Sequence, residues 1–177
     1  CDPGGGSTEV LEVRHAAGLN YTFTAGTRFD NAGTFRKAVS AGTTTVAGGM
    51  AFNNYGTVDI QSGILAANGG YTSTAGARLN CAIGGTTVGT GYGWLQVSGT
   101  VTLNGTLSIN LTNGFLPAIN DAFTVLTAGT RNGTFATFYH PSSKVTMQMS
   151  NTANSVIVRV GSVLTVSQPV LLAPELS

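Results

Sequence analysis

The chain is predicted to be all-β and coiled as a β-solenoid whose last strands turn antiparallel, with a β-sandwich as the alternative. Three observations lead there. Gly and Thr are abundant while good helix formers are few, and Thr, Val, Ile, Phe and Tyr favour strands. A seven-residue phrase returns after 23 residues: Phe29-Asp30-Asn31-Ala32-Gly33-Thr34-Phe35 is echoed by Phe52-Asn53-Asn54-Tyr55-Gly56-Thr57-Val58. Such short repeats, each a set of strands broken by Gly or Asn, are how a coil that stacks on its predecessor is written in sequence. Between Val97 and Leu111, odd positions carry Val, Val, Leu, Leu, Ile and Leu while most even ones are polar, a period of two with one buried face.

Taken in order, Cys1-Asp2-Pro3-Gly4-Gly5-Gly6-Ser7-Thr8 is turn chemistry, because Pro and consecutive Gly prevent a regular element from starting, and residues 1–8 read as an arm or linker. Structure is expected to begin at Glu9-Val10-Leu11-Glu12-Val13 and to form a single domain over residues 9–161. Gly99-Thr100-Val101 resembles Gly56-Thr57-Val58 at close to two periods. A second phrase recurs as Thr24-Ala25-Gly26-Thr27-Arg28, Thr74-Ala75-Gly76-Ala77-Arg78 and Thr127-Ala128-Gly129-Thr130-Arg131. Gly and Asn at these corners are expected to supply positive φ. Gly84 to Gly93 lacks the Lys and the following helix of a phosphate cradle and is expected to be a flexible, solvent-facing loop. Asn104-Gly105 is a strong hairpin signal, so the strands from there onward are either coiled or antiparallel. Asn113-Gly114, Asn120-Asp121, His140-Pro141-Ser142-Ser143 and Asn151-Thr152-Ala153-Asn154 separate them as turns.

Asn31-Ala32-Gly33-Thr34-Phe35, Phe52 to Val58 and the passage from Gly99 to Phe138 resemble the β-helical repeat regions of large bacterial secreted and autotransporter-passenger-like surface proteins. The resemblance covers most of residues 20 to 160. It implies a right-handed parallel β-helix and a role as an adhesin or surface scaffold.

Composition narrows the function. Charged residues are 8% of the chain, against roughly a quarter in soluble domains, so Thr, Ser, Asn and Gly must wet the surface. That habit fits an extracellular or cell-surface protein. A net charge of +1 with scattered Lys and Arg carries no nucleic-acid or anionic-membrane footprint, and no apolar run is long enough to span a bilayer. No signal peptide is visible; a chain starting at Cys1 without Met fits processing or excision from a longer precursor, or a lipid anchor on Cys1. Cys1 and Cys81 show no CxxC or Cys/His spacing, so no metal or cofactor is expected. One disulfide within or between chains is open to them, and Cys81 alone reads as a small buried hydrophobe.

No catalytic constellation is expected. Within the repeats Asp30, Asp59 and Asp121 stand singly at turns or on polar strand faces, His15 and His140 have no nucleophile or carboxylate in a motif, and GxSxG is missing. Trp94, Tyr92, Tyr71 and Tyr55 are candidates for a carbohydrate-binding strip, the second function considered. Sequons at Asn20, Asn104, Asn110 and Asn132 mark glycan acceptors in a glycosylating host, although so Asn- and Thr-rich a chain produces such motifs by chance.

The leading function rests on the tail at residues 162–177. Leu164, Val166, Val170 and Leu172 share one alternating register, and Pro169 and Pro174 forbid a central position in a sheet. Such a strand is suited to adding along the exposed edge of a neighbouring copy. A head-to-tail contact that does not close gives a filament or surface layer, so the chain is read as a non-enzymatic, polymeric homo-oligomer.

Overall fold

The computed structural model describes residues 9–16, 18–20 and 26–164. Among them there is no helix, hence none long and apolar enough to cross a membrane. The strands form a parallel β-helix of triangular section. The first coil is β1 (Val10–Val13), β2 (Gly18–Leu19) and β3 (Arg28–Asn31), and the second is β4 (Thr34–Lys37), β5 (Thr43–Val46) and β6 (Ala51–Asn54). The third is β7 (Thr57–Ile60), β8 (Ile64–Ala67) and β9 (Tyr71–Ser73), and the fourth β10 (Arg78–Ile83), β11 (Trp94–Val97) and β12 (Thr100–Leu103). The fifth is β13 (Thr106–Leu111), β14 (Ala122–Thr127) and β15 (Thr130–Gly133), followed by β16 (Thr137–Tyr139) and the pair β17 (Val145–Asn151) and β18 (Ser155–Val163).

First strands of each coil stack in sheet A (β1-β4-β7-β10-β13-β16), second strands in sheet B and third strands in sheet C (β3-β6-β9-β12-β15). Sheet B alone changes direction: after β2-β5-β8-β11-β14 it is completed by β18, antiparallel to β14, and by β17, antiparallel to β18. The expected switch thus occurs at the last hairpin, not at Asn104-Gly105. Gly105 has φ 77° but turns the corner from sheet C to sheet A, where a Cβ would lie 2.2 Å from the Ala77 carbonyl of the coil before. Strand β18 runs two residues past Gly161, to Val163, which pairs with Val145.

The repeat of the 23-residue phrase is a true stacking register: Phe29 lies on Phe52, Asn31 on Asn54, Thr34 on Thr57 and Phe35 on Val58. The other echoes are not. Thr57 belongs to sheet A and Thr100 to sheet C, while Arg28 and Arg131 lie in sheet C and Arg78 in sheet A. What these phrases share is a corner before a strand.

Alternation puts one apolar row after another inside. In sheet A, Leu11, Phe35, Val58, Leu79, Leu107 and Phe138 stack in register, beside Val13, Lys37, Ile60, Cys81 and Ile109. Phe29, Phe52 and Tyr71 stack in sheet C edge to face, with centroids 5.0 and 5.3 Å apart, and Phe35 closes on the first two at 5.6 Å. An asparagine ladder holds the corner between sheets C and A. Asn31 Nδ2 donates to Asn54 Oδ1 (2.8 Å) and to the Thr57 carbonyl (2.9 Å), and Asn54 Nδ2 donates to the Tyr71 hydroxyl (3.0 Å) and the Arg78 carbonyl (3.2 Å). Both asparagines are buried, and each also donates to a backbone carbonyl of sheet A, so its amide is not desolvated without a partner.

The segment Gly84 to Gly93 is not a flexible loop. It folds on itself through Gly84 N to Gly91 O (2.7 Å) and Gly91 N to Thr87 O (2.6 Å), and docks on the solenoid through Gly63 N to Gly89 O (2.8 Å). Tyr92 is buried, its ring 5.4 Å from that of Phe123.

Candidate functional site

Three places on the described surface bear on contact, besides a hollow of about 300 Å³ lined by Leu111, Phe115, Leu116 and Lys144. The first is the N-terminal end. Strands β1, β2 and β3 are the outermost members of sheets A, B and C, so among the described residues no further coil stacks on them. Leu11 occupies the same inward row as the fully buried Phe35, yet is 48% exposed, and Val10 is 50% exposed. Leu11, Phe29, Asn31, Ala32 and Gly33 line a hollow of about 260 Å³ there. An open solenoid end presents both unpaired backbone groups and the cut surface of the core.

At the opposite end the last hairpin covers the core, while β16 remains the outermost strand of sheet A. Val145, Met147, Val156, Val158 and Val160 of the β17–β18 hairpin are buried in the core, and Phe135 is buried beside them. The hairpin turn also reaches over the edge of β15: Ala128 N donates to Asn154 O (2.8 Å), Arg131 Nε to Thr152 O (2.9 Å) and Asn151 Nδ2 to Thr134 Oγ1 (3.0 Å). The two ends are therefore chemically different.

The second place is a polar groove of about 530 Å³ on the outer face of sheet A, lined by Val39, Asp59, Gln61, Ser62, Ala82, Asn110, Thr112 and Asn113. Asp59 Oδ2 accepts from Arg36 Nε (2.8 Å) and Gln61 Nε2 (3.0 Å), which orient the carboxylate and offset its charge. The third is a shallow apolar hollow of about 170 Å³ between Val88, Tyr92, Trp94 and Thr124 on sheet B.

The other singled-out residues fall as follows. Asp30 is an exposed partner of Arg28 (2.7 Å) and Asn53 (2.8 Å); chiefly the Asn53 hydrogen bond holds its carboxyl below the usual range. Asp121 accepts from the Ala118 amide (2.8 Å) and fixes a turn. The three carboxylates thus have separate partner sets. His15 is exposed and His140 is half-buried against Phe138. The aromatic strip does not form: Tyr71 is inside the core, Tyr92 is buried, and Tyr55 is exposed by itself. Cys81 is a free, fully buried thiol whose burial pushes its pKa up, so it stands in the core as a small hydrophobe. Asn20, Asn104 and Asn132 are exposed and Asn110 half-buried in the groove. Leu164 is 63% exposed, its amide bonded to the Lys144 carbonyl (2.8 Å). Cys1, Val166, Val170 and Leu172 lie outside the described residues.

The groove was not singled out from sequence. The groove joins Val39, Asp59, Ala82 and Asn110 from four different coils or corners, and no local motif marks that. No family model matches the chain, and no curated protein matches it at a significant level.

Proposed function

We propose that the chain is an extracellular, non-enzymatic structural protein that self-associates head to tail, the tail strand of one copy adding to the open N-terminal end of the next. The observation that carries this reading is the inequality of the ends. The hairpin covers the C-terminal core over sheets B and C, which disfavours coil-on-coil stacking through that end, while β1 leaves Val10 and Leu11 half in water beside an edge that no other described strand pairs. A strand with Leu164, Val166, Val170 and Leu172 on one face supplies the missing rung. Each Leu or Val fully buried contributes about 1.5–3 kcal/mol, so four of them are comparable with the roughly 4–15 kcal/mol that association costs. Assembly is then concentration-dependent, not permanent. The low share of charge supports the extracellular placement, since a surface of neutral hydroxyls and amides tolerates close packing of copies.

Light scattering over a concentration series tests it. Mass is expected to grow with concentration for the unaltered chain and to stay monomeric for Leu11→Lys and for Val166→Lys. Leu11 is half exposed in the single copy, so its replacement spares the fold. An unaltered chain that stays monomeric at every concentration contradicts the proposal.

A further inference from the structure

We infer that the groove on the outer face of sheet A is a binding site for a neutral, polyhydroxylated ligand, an oligosaccharide, independent of self-association. The groove holds one carboxylate and no unmatched charge: Asp59 is paired with Arg36 at 2.8 Å, which weakens the attraction for a free cation and leaves no cationic centre for an anion. Among the described residues no cluster of three or more His, Cys, Asp or Glu surrounds it. Its remaining polar groups are amides and hydroxyls. The side chains of Asn110, Thr112 and Asn113 make no hydrogen bond to another described residue, so their donors and acceptors are available to a ligand, as is Asp59 Oδ1. Ala82, buried in the floor, and Val39, at the rim, add apolar surface that the C–H face of a sugar ring can cover.

Two further observations mark this face. Asn80 stands in register between Asp59 and Ser108 on the same outward row, and its Oδ1 is buried without a hydrogen-bond partner. Val39 has φ 68° at the centre of a γ-turn closed by Ser40 N to Ala38 O (2.8 Å), an arrangement that a β-branched residue adopts only at a cost of about 1–3 kcal/mol. Lys37 Nζ, donating to the Ser40 carbonyl at 2.6 Å, holds the turn in place, and Val39 is thereby kept 68% exposed over the groove. A strained, exposed apolar side chain fixed at the rim of a polar groove is the pattern of a recognition surface. The Trp94 hollow is a weaker candidate, because the indole Nε1 is buried and out of a ligand's reach.

The test is a heteronuclear NMR titration of the full chain with cellohexaose, maltohexaose, xylohexaose and laminarihexaose, each in turn up to millimolar concentration. Saturable shifts centred on Asp59, Gln61, Ala82 and Asn110 are expected with at least one of them. Asn110→Ala, a half-buried position whose loss spares the fold, is expected to weaken that binding about tenfold, the loss of roughly 1.4 kcal/mol, while Asp30→Ala on sheet C leaves it unchanged. Absence of shifts with all four, shifts centred on Trp94, or binding indifferent to Asn110→Ala would each overturn the inference. None of these outcomes depends on whether copies associate, which light scattering reads separately.

Discussion

Gly56 and Gly76 are alike in sequence, each opening a corner before a strand of sheet A, yet they answer to different constraints. A Cβ on Gly56 would lie 2.2 Å from the Gly33 carbonyl of the coil before, whereas one on Gly76 meets nothing within 4 Å. Backbone cannot yield as a side-chain tip can, so Gly56→Ala is expected to cost about 2–4 kcal/mol and Gly76→Ala less than about 0.5 kcal/mol in urea unfolding. Lys37 gives a second expectation. It is 0% exposed between Val13 and Ile60, and burial lowers its pKa from the ordinary lysine value. The unfolded chain therefore holds the proton more tightly, and between the lowered and the ordinary value, about 10.4, stability rises with pH. Lys37→Met is expected to flatten that rise, read from urea unfolding across a pH series. At this scale the sequence was partly readable. Positive φ was expected at Gly corners and occurs at Gly26, Gly49, Gly63, Gly70, Gly105 and others, but Gly56 is required by close approach instead, which only the neighbouring coil reveals. A lysine in an inward position breaks the alternation and carried no local signal of its burial.

Among elements, the first coil and the last hairpin should differ in stability. Strand β2 has two residues and, among the described residues, β1 is paired on one side only, whereas β17 and β18 pair over their length and place Met147, Val156, Val158 and Val160 in the core. Amide hydrogen exchange is expected to be fastest in β1 and β2, slow from the third to the fifth coil, and slow in β18; uniform protection from β1 onward would show that the open end is covered in solution. Element type was legible from periodicity, and so was the stacking of Phe29 on Phe52, because consecutive coils there happen to keep equal length. Later coils do not: the excursion from Gly84 to Gly93 lengthens the fourth, and the echo of Gly56 in Gly99 consequently falls on another sheet. Asn104-Gly105 misled in the same way, since a corner between sheets and a hairpin both demand positive φ. The groove was the least legible, being built from single residues of separate coils.

For the whole molecule, a solenoid with two unlike ends has a direction, and the proposed contact through residues beyond Leu164 would give the N-terminal end a partner. A contact between two unlike surfaces does not close by two-fold symmetry, so repetition extends it in a line or ring. Saccharide binding in the groove of sheet A would lie along the side of such an assembly, clear of the ends through which copies join. Electron microscopy of the purified full chain beside a chain ending at residue 164 is the most direct test of this arrangement: filaments or rings from the full chain that disappear on removal of residues 165–177 are expected, and dispersed single particles in both samples, at concentrations spanning the micromolar range, would contradict it.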